Sequence, residues 1–183
     1  AGRRFTNESA PYIDVVHAMY EHNRPGAASI PAHFLMDQRF RRRYLFGLTM
    51  PFQPFPQEYL TSGYVSKANT IAELAERIGV DPRSLLETVE RFNEFARAGK
   101  DLDFHRGESH YDRYYGDPTV KPNPCLGVID KPPFYAVAMI PGDIGTKGGL
   151  VTDACARVLR EDGSRIEGLY AIGNASASVM GDS

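Results

Sequence analysis

Apolar residues recur at helical spacing in two consecutive segments near the middle of the chain. In the first segment they are Ile71, Leu74 and Ile78, which would share one face of an α-helix. The second segment has a longer stripe of the same kind, formed by Leu85, Leu86, Val89, Phe92 and Phe95. The pattern therefore predicts a pair of helices that each bury one face.

Capping residues bound both of these predicted helices. Thr70 and Glu73 have the spacing of a capping box at the start of the first helix. Asp81 is a good N-cap for the second helix, with Pro82 at its first position and Gly99 just past its end. We expect this helical pair to serve packing and to take no part in chemistry.

Three further segments have clear patterns. Residues 10–22 have apolar side chains at helical spacing, and Pro11 suits the first turn of that helix. Residues 32–37 and 134–140 are predicted to be strands. A basic cluster follows the first of these strands, and we interpret it as a solvated helix face: Arg39, Arg41, Arg42 and Arg43.

The last part of the chain combines a hairpin pattern with glycine-rich segments. Residues 157–172 predict a hairpin that turns at Asp162-Gly163 and runs into a buried strand, Leu169 to Ile172. That strand leads into small and polar residues, which suits a ligand at the end of a strand: Gly173, Asn174 and Ser176.

A second glycine-rich segment precedes the hairpin. Gly145, Gly148 and Gly149 surround the start of a strand in the string GTKGGLVTD. Glycines allow the backbone to approach a planar or anionic group closely and to take positive φ. On spacing alone, a tight turn between strands is favoured over a ligand site here.

Composition excludes several function classes. The formal net charge of −2 gives no attraction to nucleic acid or to an anionic membrane surface. No apolar run approaches the roughly 20 residues of a membrane span. We therefore expect no nucleic-acid partner and no transmembrane segment. Cys125 and Cys155 have no close partner in sequence, and we interpret them as reduced thiols of a cytoplasmic protein.

Motifs for several common chemistries are also missing from the sequence. It contains no P-loop, no G-x-G-x-x-G and no G-x-S-x-G. His105 and His110, with Glu108 and Asp112, lack the spacing of a regular metal site, so we favour a hydrogen-bonded loop and expect no metal. The first residues include no initiator Met and read like the middle of a strand-and-turn region, so we expect further sequence upstream.

Two segments together resemble a known superfamily. GTKGGLVTD, followed by EGLYAIGN, resembles the return segment of the succinate dehydrogenase/fumarate reductase flavoproteins, and the opening GRRFTNE resembles the start of their capping domain. The resemblance implies an α+β fold, with residues 1–143 as the substrate-binding capping domain and 144–183 as part of an FAD-binding α/β domain. It also implies FAD as cofactor, with five residues that would contact it: Gly148, Gly149, Gly173, Asn174 and Ser176.

Longer strings narrow the resemblance to the 3-ketosteroid Δ1-dehydrogenases. Residues 103–149, and GNASASVMG at 173–181, resemble that family closely, although the family usually has His where Asp182 stands. Fumarate reductases have His where Gly145 stands and Arg in the neighbourhood of Tyr12. A site without that His and Arg lacks the charged donors that bind carboxylates, and it suits a neutral, apolar ligand.

The resemblance implies an oxidation of ring A of a 3-ketosteroid. A proton leaves carbon 2 and a hydride leaves carbon 1 for the flavin, with Tyr12 as the general base. From the pattern alone, Tyr12 is instead an aromatic residue that packs at a helix start. The implied partners are a 3-ketosteroid and an electron acceptor such as a quinone. Three alternatives stay open: a Δ4-(5α)-ketosteroid dehydrogenase, a fumarate-reductase-like flavoprotein, and a steroid-binding module without catalysis.

Overall fold

The computed structural model of the chain describes residues 2–142 and 148–177. It divides into two compact units, Ala1–Pro141 and Gly142–Ser183, which we call unit 1 and unit 2. The assignment of the first to a capping domain and of the second to an FAD-binding domain remains a prediction. In the described residues, no helix is both long and apolar enough to cross a bilayer.

Unit 1 combines helices with a small antiparallel sheet, which confirms the α+β class. Its helices are α1 (Tyr12–Glu21), α2 (Gln38–Arg43), α3 (Gln57–Thr61), α4 (Ile71–Arg77), α5 (Pro82–Ala98) and α6 (His110–Tyr114). Its strands are β1 (Ala32–Met36), β2 (Val65–Ala68) and β3 (Phe134–Met139). The predicted helix at 10–22 and the strands at 32–37 and 134–140 are therefore confirmed, whereas β2, α3 and α6 were not predicted.

The central strand β3 pairs antiparallel with β1 on one side and with β2 on the other. Phe134 and Ala136 contribute to the apolar cluster beneath α4 and α5, whereas Tyr135 and Val137 contribute to a second cluster. Because side chains alternate across a strand, β3 supplies both clusters from its two faces. This explains why the sequence of β3 is apolar at successive positions, as expected for a strand covered on both sides.

Helices α4 and α5 follow the predicted caps. Thr70 Oγ1 accepts a hydrogen bond from Glu73 N at 3.1 Å, and Asp81 Oδ2 accepts one from Ser84 N at 2.7 Å. Gly99 ends α5 with φ of 76°, a left-handed conformation that favours glycine. The predicted stripe of α5 is correct except at Leu86, which is exposed.

The prediction that the basic cluster forms a solvated face is wrong for Arg41. Arg41 lies in α2, and only 1% of its surface is exposed. Its guanidinium donates hydrogen bonds to the backbone carbonyls of Tyr44, Met50 and Gln53. These carbonyls satisfy a charge that would otherwise be costly to bury. Periodicity alone cannot detect such a role, because the partners lie on a following loop.

Unit 2 contains the predicted hairpin, formed by β4 (Arg157–Leu159) and β5 (Arg165–Tyr170). The prediction of a buried strand at its end is wrong: Leu169 and Tyr170 are exposed, and Ile172 is 76% exposed. Of that segment only Ala171 is buried. A two-stranded ribbon forms a single layer, and no second layer within the described part of unit 2 covers these side chains.

Candidate functional site

Unit 2 brings together the two glycine-rich segments that the sequence singled out. Leu150 N donates to Ala175 O at 2.9 Å, and Ala177 N donates to Leu150 O at 2.8 Å. These bonds form a parallel bridge between Leu150 and Ser176. The chain therefore places Gly148 and Gly149 beside the segment 173–176, although the two are separated by the whole hairpin in sequence.

Gly149 is required by this arrangement. Its φ is +69°, and a Cβ at this position would overlap the backbone of Ala175 and Ser176. Any other residue would push the two segments apart. Gly148 also has positive φ, +94°, but a Cβ there would meet no atom of the described residues within 4 Å. Its backbone therefore faces open space that another group can approach.

The segment after the hairpin forms a short 3₁₀ turn, Gly173–Ala175. Ser176 Oγ donates to Gly173 O at 3.0 Å, so this hydroxyl holds the turn closed. Gly173 has φ of +59°, with open space where a Cβ would stand. Gly173 and Asn174 are both exposed. The segment thus offers glycine backbone and an amide side chain to a ligand, which fits the close approach that a planar cofactor such as a flavin requires.

Tyr12 lies in unit 1 as the first residue of α1. It is 68% exposed to solvent. This exposure counts against the alternative that Tyr12 is an aromatic core residue. Pro11 occupies the N-cap position, and no side chain in the described part of the chain caps α1 there. The first turn of α1 is closed by Pro11 O, which accepts hydrogen bonds from Asp14 N at 3.0 Å and from Val15 N at 3.2 Å.

Four side-chain links tie residues 4–9, which precede α1, to the loop after α5 and to α6. One of them joins Arg106 Nη1 to Glu8 Oε2 at 3.2 Å. Arg4 donates to both carboxylate oxygens of Asp101, at 3.0 and 2.7 Å. Arg106 Nε donates to Ser9 Oγ at 2.9 Å, and Asn7 Nδ2 donates to Asp112 Oδ2 at 3.0 Å. The paired residues are about a hundred positions apart in sequence. No local sequence pattern indicates these links. The prediction that His110 and Asp112 lie in a loop is wrong, because both residues belong to α6, whose N-cap Ser109 accepts from Asp112 N.

Electrostatics favour the charged form of both buried carboxylates in this network. Burial by itself would raise the pKa of Asp101, but the Arg4 guanidinium and backbone amides hold it below its usual value. Burial likewise opposes ionisation of Asp112, and hydrogen bonds from Asn7 and from Gly107 N lower its pKa. The loop after α5 and helix α6 thus each present one fixed anion, Asp101 and Asp112, to the segment that leads to Tyr12.

An apolar loop follows α2 in the same unit. The buried Arg41 guanidinium holds it through Met50 O at 3.0 Å and Gln53 O at 2.6 Å. The loop exposes four apolar side chains: Leu45, Leu48, Met50 and Phe52. Leu48 is 91% exposed. This surface suits a neutral, apolar ligand better than a charged one.

Some predicted features lie outside the described residues. They are Gly145, where the resemblance contrasts with fumarate reductases, and the segment 178–183, which includes Asp182. His105, considered as a metal ligand and set aside, lies 3.3 Å from Glu108 Oε1 through Nδ1. No cluster of metal-binding side chains occurs within 2–142 and 148–177.

The chain matches the family model described as "FAD binding domain" over residues 1–182. A 3-oxosteroid 1-dehydrogenase of Mycobacterium tuberculosis (strain ATCC 25618 / H37Rv) is 55% identical to it over 185 residues, covering 99% of this chain and 33% of that protein. A 4-oxocyclohexanecarboxylate 2-dehydrogenase of Sinomonas cyclohexanicum is 44% identical, covering 97% of this chain and 30% of that protein.

A solved structure is similar over the same length. It is the crystal structure of 3-ketosteroid Δ1-dehydrogenase from Sterolibacterium denitrificans in complex with 1,4-androstadiene-3,17-dione, with a TM-score of 0.91 and 50% sequence identity. The match covers 99% of this chain and 33% of that chain. This chain therefore spans about a third of the length of the relatives it matches. These matches confirm the predicted resemblance to the FAD-dependent 3-ketosteroid Δ1-dehydrogenases.

Proposed function

The chain belongs to the FAD-binding domain family, and from this premise we propose that the full-length protein is an FAD-dependent 3-ketosteroid dehydrogenase. The reaction introduces a double bond between carbons 1 and 2 of ring A. The observation that supports this proposal most strongly is the likeness, over nearly the whole chain, to a 3-oxosteroid 1-dehydrogenase and to a 3-ketosteroid Δ1-dehydrogenase solved with a steroid.

In this proposal Tyr12 is the catalytic base. Its phenolic oxygen takes the proton from carbon 2, which the neighbouring ketone acidifies. The electron pair of that C–H bond becomes the new double bond as a hydride leaves carbon 1. FAD, when bound, supplies the acceptor for this hydride. The exposure of Tyr12 at the start of α1 supports the role, because a base must reach its substrate.

The residues of unit 2 would hold the cofactor. Gly148 and Gly173 present backbone with positive φ and open space in front of it. Gly149 allows the two segments to pair, while Asn174 offers an amide group and Ser176 closes the turn. Ser176 thus serves the cofactor through the shape of the turn, because its hydroxyl proton is already donated to Gly173 O.

A steroid is the proposed substrate because the apolar loop of unit 1 and the absence of an Arg at position 12 both suit a neutral ring system. A quinone, or an acceptor of similar potential, is the proposed oxidant that renews the cofactor between turnovers. The cytoplasm is the proposed location.

A smaller cyclic ketone is a second candidate substrate, because a relative named for 4-oxocyclohexanecarboxylate is 44% identical. The same proton and hydride removal would apply to its ring, since that ring also bears a ketone. The exposed apolar loop favours the steroid, because a small carboxylate would gain little from four apolar side chains.

The experiment compares both substrates with the purified full-length protein and an artificial electron acceptor. Flavin absorbance after gel filtration first establishes whether FAD is bound, and its absence would support a steroid-binding module without catalysis. With FAD bound, 4-androstene-3,17-dione should be oxidised far faster than 4-oxocyclohexanecarboxylate or succinate.

Mass and ultraviolet spectra of the product then separate a Δ1 product from the product of a Δ4-(5α) enzyme, for which 5α-androstane-3,17-dione is the matched substrate. An FAD-loaded protein that oxidises no steroid would rule out the proposal.

A further inference from the structure

Asp112 is a buried carboxylate whose partners lie far away in sequence. Only 5% of its surface is exposed. Asp112 Oδ2 accepts hydrogen bonds from Asn7 Nδ2 at 3.0 Å and from Gly107 N at 2.7 Å. A buried carboxylate needs such donors, because leaving its charge unpaired would destabilise the folded state by roughly several kcal/mol. Asp112 therefore fixes the position of the Asn7 side chain.

Asn7 in turn shapes the backbone that leads to α1. Its Oδ1 accepts a hydrogen bond from Ser9 N at 2.9 Å, and its carbonyl oxygen accepts one from Ala10 N at 3.1 Å. These two bonds form a turn over residues 7–10, of the kind that asparagine side chains stabilise. The turn ends at Pro11, directly before Tyr12. One amide side chain thus joins a buried anion to the turn that carries the proposed base.

The start of α1 depends on this turn because the helix lacks a side-chain cap of its own within the described residues. Pro11 has no N–H group and fixes its own φ, so it transmits the direction of the preceding turn to Tyr12. The Ser9–Arg106 bond adds a second anchor, but Arg106 is only partly buried and also contacts Glu8. The Asn7–Asp112 pair is the anchor that sets the turn, because Asn7 also accepts from Ser9 N, and it ends on a buried carboxylate, Asp112.

We propose that Asn7 and Asp112 form a positioning pair, which holds Tyr12 in place for proton removal without touching the substrate. The proposal rests on the proposed function and identifies what that function requires beyond Tyr12. Its consequence is that breaking the pair slows turnover through Tyr12 and leaves substrate binding largely intact. Misplacement of a catalytic group by about 1 Å can cost about a hundredfold in rate.

The test uses the full-length protein and three variants. Asn7→Asp retains an acceptor for Ser9 N but loses the donor to Asp112 and places two carboxylates together. Asn7→Ser also loses that donor, without adding charge. The reciprocal double variant Asn7→Asp/Asp112→Asn restores an amide–carboxylate pair at unchanged net charge. Each single variant should lower kcat by about 10- to 100-fold with KM within about threefold, and the double variant should recover kcat to within about threefold of wild type.

A double-mutant cycle with Tyr12→Phe separates positioning from general damage. If Asn7 acts through Tyr12, Asn7→Ser should cost less than about twofold once the Tyr12 oxygen is gone. Exchange of the carbon-2 hydrogen with deuterated water should slow in step with kcat in Asn7→Ser, because it reports the proton step alone. A purely structural role would give equal losses in both backgrounds.

Asn93 provides the matched control. It is a buried asparagine whose amide donates to Ile129 O at 3.0 Å and accepts from Ile129 N at 2.7 Å. Asn93→Ser should lower the melting temperature while kcat stays within about twofold. The inference is overturned if a folded Asn7 variant keeps wild-type kcat, or if its loss is the same in the Tyr12→Phe background. An FAD-loaded wild type without steroid oxidation would instead defeat the proposed function, and this inference with it.

Discussion

Gly149 and Ser176 approach so closely that a Cβ on Gly149 would overlap the backbone carbonyl group of Ser176. The approach belongs to the parallel bridge between Leu150 and Ser176, which joins the two glycine-rich segments of unit 2. Because each of these segments contains proposed FAD contacts, the pairing decides whether those contacts can act together. Gly149 therefore serves the proposed cofactor site indirectly, by allowing its two parts to meet.

Gly149→Ala should abolish or strongly reduce FAD binding. The new methyl group would force the segments 148–150 and 175–177 apart, in addition to the strain of positive φ, which costs about 1–2 kcal/mol for a non-glycine residue. The measurement is flavin absorbance per mole of purified full-length protein. Gly168→Ala is the control, because Gly168 also has positive φ, +73°, but a Cβ there would meet no described atom within 4 Å.

Equal FAD content in the Gly149→Ala and Gly168→Ala proteins would contradict this prediction. The steric overlap would then be relieved without disturbing the cofactor, and the proposed contacts would have to be sought elsewhere.

Arg41→Met should destabilise unit 1 and weaken substrate binding. The substitution leaves the carbonyls of Met50 and Gln53 without their donor, at a cost of about 2–4 kcal/mol. The apolar loop would lose its anchor, so KM for the steroid should rise more than kcat falls. Urea unfolding and steady-state kinetics measure the two effects. Arg39→Met is the control: Arg39 lies in the same helix, is exposed and pairs with the exposed Asp130, so its loss should change stability by no more than about 1 kcal/mol.

Local signals predicted the helical pair of unit 1, whereas links distant in sequence escaped prediction. The caps of α4 and α5 lie three residues from the groups they bind, so the spacing of residues in the sequence is enough to predict them. Arg41 binds carbonyls as far as 12 residues away, and nothing in its own helix distinguishes it from Arg42. The Asn7–Asp112 bond spans 105 residues, and only the folded chain brings its two ends together.

The candidate site also has parts that the sequence predicted and parts that only the structure shows. The glycines of unit 2 were chosen from their resemblance to a family, and the structure supplies the physical reason for Gly149 in particular. The strand at Leu169–Ile172 was predicted to be buried because its residues are apolar. Apolar composition predicts burial only where other residues cover the side chain, and within the segment 169–172 the described part of unit 2 covers only Ala171.

Acid should weaken unit 1 through Asp117. Asp117 accepts hydrogen bonds from the Thr119 hydroxyl at 2.6 Å and from Tyr44 Oη at 2.5 Å. These bonds lower the pKa of Asp117 to about 2, and the bond from Thr119 has the larger effect. A carboxyl group with a lowered folded-state pKa contributes stability above its unfolded value, which is lost as pH falls from about 4 towards 2. Asp117→Asn should therefore flatten the dependence of melting temperature on pH in this window.

Tyr44→Phe is the companion variant for this pH dependence. It removes one of the donors to Asp117 and leaves Thr119, so it should retain part of the acid dependence. An Asp117→Asn protein whose melting temperature falls with acid as steeply as that of the wild type would show that other carboxylates govern the transition.

Tyr12→Phe should remove the oxygen that accepts the carbon-2 proton and leave the ring in place. Loss of a positioned general base typically costs about 10² to 10⁴ in rate. The fall should appear in kcat more than in KM, because the interaction matters mainly in the transition state. FAD content should not change, since the proposed contacts to the cofactor lie in unit 2. Exchange of the carbon-2 hydrogen with deuterated water should slow in parallel. Tyr20 is the discriminating comparison, because it lies on the same helix and its side chain is also exposed. If Tyr20→Phe loses turnover and Tyr12→Phe keeps it, the base is Tyr20, and the residue-by-residue transfer from the resembled family is wrong at this position.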